Sequence, residues 1–442
     1  MKENKSYYIE TLGCQMNIAD SEVVAAVLYE AGYLRVLQPE AADLILLNTC
    51  AVRDNAEQRV WNKLQHFKGL KKIHTSLKIG ILGCMAQRVG NDFEQSKIVD
   101  FIAGPDSYRK LPDLIQQSLT KHFASGIELS RTETYNNMLP RRLDTTAISG
   151  FVSITRGCNN FCSYCIVPYT RGRERSRNPS DVLNEINDLQ QKGYKEITLL
   201  GQNVNSYHWE HEQQCTGFPE LLQIAAKQFP DLRIRFTTSH PKDISDALIE
   251  TMATHKNICN HVHLPVQSGS NDVLKAMNRG YTREWYLDRI NKIKTEIPGC
   301  GLSTDVFAGF PGETEADHQQ SLSLMEQVKF DSAFMFRYSE RPGTYAAKHL
   351  KDDVPEKTKI RRLNELIRLQ HQLSLESNKN ETGKLVEILI EGKSKRSDKD
   401  VFGRTETNKL VIVPDNNYKP GNTIKVIIES YTSATLFGKT IP

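Results

Sequence analysis

The sequence predicts an α/β protein in three parts: a small doubly wound parallel sheet, a partial (βα)6 barrel, and a small terminal β-barrel. Three observations lead there. Strand-like runs alternate with helical periodicity through residues 1–120, and alternate again from 149 to 355, where six strand candidates occur. Residues 380–442 then switch to alternating strands divided by glycine and proline turns.

The first region repeats one pattern three times. Tyr7–Leu12 reads as a strand running into Gly13-Cys14, with a helix from about Asp20. Leu44–Leu47 is an apolar run ending in Asn48-Thr49-Cys50, and Ile79–Leu82 runs into Gly83-Cys84. A parallel doubly wound sheet gathers functional groups where the carboxyl ends of its strands meet. Cys14, Cys50 and Cys84, 36 and 34 positions apart, are therefore expected to converge.

Residues 121–148, polar and basic with Arg141-Arg142, read as a connector. The barrel strands are Phe151–Thr155, Glu196–Leu200, Arg233–Thr238, Asn260–Val266, Leu302–Phe307 and Ala333–Tyr338, with helices such as Val182–Gln191 and Asp272–Met277 between them. The active face should be the C-terminal rim. Residues 356–379 form a charged linker helix. Leu385–Ile390, Lys409–Val413 and Thr423–Glu429 follow as strands, with Gly403 and Lys419-Pro420-Gly421 read as turns; a small closed β-barrel of this kind often binds RNA.

Composition excludes some classes. Hydrophobic residues are 39% and charged residues 25%, which supplies packed cores and argues against disorder. A formal net charge of +4 permits an anionic partner without requiring one. The start, Met1-Lys2-Glu3-Asn4-Lys5, lacks the apolar core of a signal peptide, and no run approaches a membrane span. The chain is therefore expected in the cytoplasm, off the membrane, where nine cysteines are poor disulfide material.

Spacing singles out Cys158-Asn159-Asn160-Phe161-Cys162-Ser163-Tyr164-Cys165, on the loop after the first barrel strand. Three thiolates so close can hold three corners of a cubane iron–sulfur cluster, whose usual ligation takes four. With no fourth cysteine nearby, one iron stays open to an outside ligand. The bland alternative, an incomplete zinc site, lacks the second C-x-x-C pair that such sites usually use. Cys215, Cys259 and Cys300 have no partner at useful spacing and read as structural filler.

This motif, with aromatic Tyr164 before the last cysteine and a six-unit barrel around it, resembles the radical S-adenosylmethionine (SAM) enzymes. With Gly13–Asn17, Asn48-Thr49-Cys50 and Gly83–Gln87, the chain resembles the methylthiotransferases of that superfamily end to end. Arg156-Gly157-Cys158, Pro168–Glu174, His263–Gly269 and Phe310–Thr314 carry the likeness onward, and the terminal barrel resembles their RNA-binding TRAM domain. The resemblance implies two 4Fe-4S clusters, one on Cys14, Cys50 and Cys84 and one on Cys158, Cys162 and Cys165. It implies SAM as both methyl donor and radical source, a tRNA anticodon stem-loop as substrate, and an electron donor such as flavodoxin or ferredoxin. A monomer is expected.

Gly13–Asn17, Asn48–Arg53 and Thr238–Pro241 most resemble the branch that modifies C2 of N6-isopentenyladenosine at tRNA position 37. Sister branches act on threonylcarbamoyladenosine in tRNA or on a ribosomal-protein aspartate. The family places SAM across the strand ends, at Tyr164, Gly201, Gln202, Asn203, Ser239, Gln267, Asp305, Gly309, Glu313 and Arg337, each of which alternatively caps a helix or pairs with a neighbour. His261 and His263 read as strand packing or a local hydrogen bond. Arg171, Arg173, Arg175 and Arg177 alternate, so in an extended segment they would share a face suited to tRNA phosphates; a solvated loop is the alternative, and RNA contact is favoured because the array borders the cysteine loop. Two other classes stay open: an electron-transfer protein, disfavoured because such carriers cap every iron, and a non-catalytic RNA-binding protein with structural zinc.

Overall fold

A computed structural model describes residues 5–50 and 54–441 of the chain. Met1–Asn4, and Ala51-Val52-Arg53 of the Asn48–Arg53 motif, lie outside the described residues.

The first region is a parallel six-stranded sheet of β1 (Lys5–Leu12), β2 (Tyr33–Arg35), β3 (Leu44–Thr49), β4 (Lys78–Gly83), β5 (Phe101–Ala103) and β6 (Ala124–Gly126). Its order is β2-β1-β3-β4-β5-β6, so the chain reverses direction across the sheet between β1 and β3, where such folds open a crevice. Every residue of β3 is buried, as a central parallel strand covered on both faces requires. Leu44 and Leu46 enter one apolar core while Ile45 and Leu47 enter the other, because successive side chains point to opposite faces. The expected boundary at 120 falls short, since β6 pairs with β5 from within the connector.

In the second region three strands, Ser149–Ser153, Glu196–Leu200 and Arg233–Thr237, pair in parallel. So do His261–His263, Gly301–Ala308 and Ser332–Arg337. A bridge between Ile234 and Ile258 joins the two halves into an open barrel. The expected first strand ends early: Thr155-Arg156 leave the barrel and pair with Arg175-Ser176. Helices clothe the outside over one continuous apolar core. Ser245, Ser270, Thr282, Thr314 and Thr344 cap helix starts by accepting backbone N–H bonds, each contributing ~1 kcal/mol.

The helix Glu356–Lys379 leads to a closed barrel of Leu385–Lys393, Asp400–Arg404, Leu410–Pro414, Thr423–Tyr431 and Leu436–Thr440. Gly403, expected in a turn, lies inside a strand. A Cβ there would meet the Leu389 carbonyl oxygen at 2.3 Å, so the glycine serves close strand approach. The terminal barrel docks on the N-terminal ends of strands three and five of the large barrel. Arg235 donates to the carbonyls of Thr405 (2.7 Å) and Glu406 (2.9 Å), Arg233 donates to that of Arg404 (3.1 Å), and Gly301 abuts Thr407. Among the described residues no helix is long and apolar enough to cross a membrane.

Candidate functional site: two cysteine triads

Cys14, Cys50 and Cys84 follow directly on β1, β3 and β4, at the crevice between β1 and β3. Buried amides fix the loops that carry them. Asn17 donates to Asn48 Oδ1 and to the Thr49 carbonyl, both at 3.1 Å, and Asn48 returns a bond to the Asn17 carbonyl at 2.9 Å. Gly13, at φ +153°, brings the first loop close enough that a Cβ would sit 2.8 Å from Cys50 Cβ. The Cys14 thiol donates to Asn17 Oδ1 at 3.2 Å, and a hydrogen bond with Cys50 pulls its pKa down to about 6. Burial pushes the Cys84 thiol up, partly opposed by Arg171.

The second triad sits on the loop after the first barrel strand. Gly157, at φ +79°, lets this loop cross the chain at Arg173, whose carbonyl oxygen would lie 2.1 Å from a Cβ. The segment 276–279 clamps the loop from outside. Ser163 bonds the carbonyls of Ala276 (2.8 Å) and Met277 (3.0 Å), and Asn278 bonds that of Phe161 (3.0 Å). Burial raises Cys158 to about 11 and Cys165 to about 12, so as free thiols both are protonated near neutral pH. Bound iron displaces such protons, and cluster loading should therefore be pH-dependent.

All six cysteines are free thiols. Among the described residues no three His, Cys, Asp or Glu side chains have the arrangement that holds a single metal ion. A cubane asks for a wider one, because each thiolate bonds a different iron. The donor set fits such clusters. The two cysteine-bearing segments also meet: Ile166, next to Cys165, packs against Cys84. The short helices Cys84–Arg88 and Val167–Arg171 lie against each other.

Along the rim, Gln202, Ser239 and Gln267 follow barrel strands two, three and four. Their side-chain oxygens are buried without a hydrogen-bond partner, as are Thr238 Oγ1 and His240 Nε2 of the Thr238–Pro241 motif. Orphaned buried polar atoms are uncommon, and a polar ligand along the rim would satisfy them. Gly201 packs on Thr155 Oγ1, leaving no room for a side chain. Asp305 faces the barrel interior, 3.6 Å from His263 Nε2. His263 and His261 both bond Ser303 Oγ at 3.0 Å, the local hydrogen bonding expected of them.

Other residues expected to contact SAM have partners within the chain. Asn203 spends its amide on Asp243 (2.7 Å) and on the backbone of His240 (3.0 Å). Glu313 accepts from Gly309 N (2.9 Å) and pairs with Arg362 (2.9 Å), so both it and Gly309 serve the packing of helix Glu356–Lys379. Arg337 points outward to Glu356. Tyr164 is held in an aromatic cluster, 5.0 Å from Phe307 between ring centroids.

The four alternating arginines do not share one exposed face. Arg171 pairs with Asp20 (2.7 Å), Arg175 grips Asp106 through two nitrogens (2.8 and 3.0 Å), and Arg177 pairs with Glu185 (2.6 Å). These three guanidiniums are buried: Arg171 ends the short helix Val167–Arg171, Arg175 lies on the strand paired with Thr155-Arg156, and each finds a carboxylate in the interior. Arg173 alone is exposed, its guanidinium 4.5 Å over the Phe161 ring. Asp20 and Arg156, which sequence reasoning missed, complete the buried network between the two large domains at 2.8 Å.

The barrel interior also carries an apolar wall. Ala333 and Met335 pack outward against the core, so Phe334 and Phe336 face inward, Phe336 lying 6.2 Å from Phe307. Phe334 is 56% exposed although it lies on a barrel strand.

Residues 152–325 match the Radical SAM superfamily, residues 6–104 the uncharacterized protein family UPF0004, and residues 379–441 the TRAM domain. A protein of Phocaeicola vulgatus named tRNA-2-methylthio-N(6)-dimethylallyladenosine synthase is 56% identical over 440 residues, covering 99% of this chain and 96% of its own. Proteins of the same name from Bacteroides fragilis and Porphyromonas gingivalis are 56% and 55% identical over similar lengths. Among solved structures, the radical SAM methyltransferase TsrM from Kitasatospora setae aligns with a TM-score of 0.58 at 14% identity, over 75% of this chain and 73% of its own. At that identity the likeness speaks for the fold.

Proposed function

Because the chain belongs to the family of tRNA-2-methylthio-N(6)-dimethylallyladenosine synthases, we propose that it places a methylthio group on C2 of N6-isopentenyladenosine at tRNA position 37. The chain is a radical SAM enzyme and a tRNA methylthiotransferase. When bound, two 4Fe-4S clusters and SAM would supply the methyl group, the sulfur and the radical chemistry at C2. Cys158, Cys162 and Cys165 would hold one cluster; Cys14, Cys50 and Cys84 would hold the other.

The observation that supports the two-cluster reading is the contact of Ile166 with Cys84, which joins the loop after Cys165 to the helix that Cys84 opens. The remaining work falls to this chain's own side chains. Gln202, Ser239 and Gln267 bind and orient SAM at the rim, and Tyr164 with Phe307 and Phe310 excludes water beside the cysteine loop. The wall of Phe307, Phe334 and Phe336 suits an isopentenyl tail. A threonylcarbamoyl carboxylate would want a cation there, and Arg337 on that strand is paired with Glu356. The terminal barrel sits at the far end of the strands, so the anticodon stem-loop spans roughly 25 Å, the length of the eight-residue strand Gly301–Ala308. A low-potential one-electron protein donor, a monomeric state and a cytoplasmic setting complete the proposal.

The test is to incubate anaerobically reconstituted enzyme with SAM, dithionite and isopentenylated tRNA, and to weigh the nucleosides. The native chain should add one methylthio group. Cys50→Ala should retain about four of about eight irons and still release 5′-deoxyadenosine while making no product. An unchanged iron content in Cys50→Ala would remove the second cluster from the scheme.

A further inference from the structure

Among the described residues the other buried arginines are matched by carboxylates: Arg156 and Arg171 by Asp20, Arg175 by Asp106, Arg177 by Glu185, Arg235 by Glu196, Arg362 by Glu313. Arg279 is the exception. It is 5% exposed, and among the described residues no carboxylate lies within ion-pair distance of it. Its guanidinium donates to the Pro265 carbonyl (2.9 Å), to the hydroxyls of Tyr281 (3.1 Å) and Tyr164 (3.4 Å), and to Cys162 Sγ (3.2 Å). A guanidinium cannot shed its proton in a protein, and a buried charge without a counter-charge is strongly disfavoured. The missing negative charge is therefore one that Cys162 and its neighbours carry only as thiolates.

We propose that Arg279 is the fixed counter-ion of the radical SAM cluster: a positioning residue that seats Cys162 and favours cluster reduction. The inference rests on the cluster reading given above. Its position follows from the fold, because Arg279 ends the same 276–279 segment whose backbone and Asn278 clamp the cysteine loop. One-electron reduction adds one negative charge beside Cys162. A rigid cation hydrogen-bonded to that sulfur stabilises the reduced form more than the oxidised form, and hydrogen bonds to cluster sulfurs are a recognised lever on potential. The electron comes from an external low-potential donor, and no bond to Arg279 forms or breaks. Arg171 makes the corresponding bond to Cys84, but its charge is already shared with Asp20.

The test uses the full chain with Cys14, Cys50 and Cys84 replaced by alanine, so that one cluster is observed alone. Its reduction is followed by electron paramagnetic resonance during a dithionite titration. Arg279→Gln should keep about four irons, while its reduced fraction at a fixed potential falls tenfold or more, a shift of at least ~59 mV to the negative for a one-electron couple. Arg279→Lys, which keeps the charge, should recover most of the shift. Iron lost from the Gln variant but kept by the Lys variant supports the same role. An unchanged potential in a fully loaded Gln variant, or equal iron loss in both, overturns it. If the parent triple variant itself shows no cluster signal, the cluster reading is what has failed.

Discussion

Arg171 donates from Nε to the Cys84 sulfur over 3.1 Å. Arg171 ends the short helix that begins at Val167, two residues beyond Cys165, whereas Cys84 opens the helix after β4. One side chain of the large barrel therefore reaches a cysteine of the first domain, and Asp20 holds it there at 2.7 Å.

Asp20 is the carboxylate on which that bridge depends, since Arg156 and Arg171 both use it. Asp20→Ala should destabilise the protein by ~3–5 kcal/mol in a denaturant titration, the range for breaking a buried charge pair. It should also lower iron content at the first triad. A loss below ~1 kcal/mol would mean that the network is dispensable.

Arg173 and Arg175, two positions apart, should fail in different ways. Arg173→Ala should weaken tRNA binding and lower its salt slope by about one counterion, with stability kept. Arg175→Ala should unfold at lower denaturant, because Asp106 loses its bidentate partner. A salt titration paired with an unfolding curve for each variant separates the two; identical profiles would contradict the assignment.

Arg235 holds the terminal barrel through two carbonyls and pairs with Glu196 at 2.8 Å. Arg235→Ala should free that barrel, raising KM for tRNA about tenfold or more, since tethering two RNA contacts multiplies affinity. SAM cleavage without tRNA should be unchanged. Limited proteolysis near residues 380–384 should quicken in parallel.

Glu174 gives a pH signature. Burial lifts its carboxyl to about 7, against which Ser206 donates a hydrogen bond at 2.7 Å. A raised carboxyl pKa means that the folded state holds the proton more tightly than the unfolded chain. Its contribution is then full below pH ~4.5 and fades as pH rises through ~7, by up to about 3 kcal/mol. Glu174→Gln should remove this decline and gain on the native protein between pH 5 and 8. Parallel stability curves for the two proteins would show that Glu174 titrates normally.

The sequence by itself determined the three domains, the two triads and the linker helix. Each is written in local terms: a cysteine just past an apolar strand, three cysteines within eight residues, periodicity of two or of 3.6. The strand ends at Gln202, Ser239 and Gln267 were legible for the same reason, because a barrel puts the residue after each strand on one rim. The fate of the arginines was not. Arg171 finds Asp20 from 151 positions away and Arg175 finds Asp106 from 69, so only the folded chain distinguishes them from exposed Arg173, whose local sequence is equivalent. Asn203, Glu313 and Arg337 fall to packing for a similar reason: a polar residue at a strand end serves whichever neighbour folding brings to it. Arg279 shows the limit most clearly. Nothing local separates it from any other arginine past a helix end; its role follows from burial beside Cys162, 117 positions earlier, without a carboxylate.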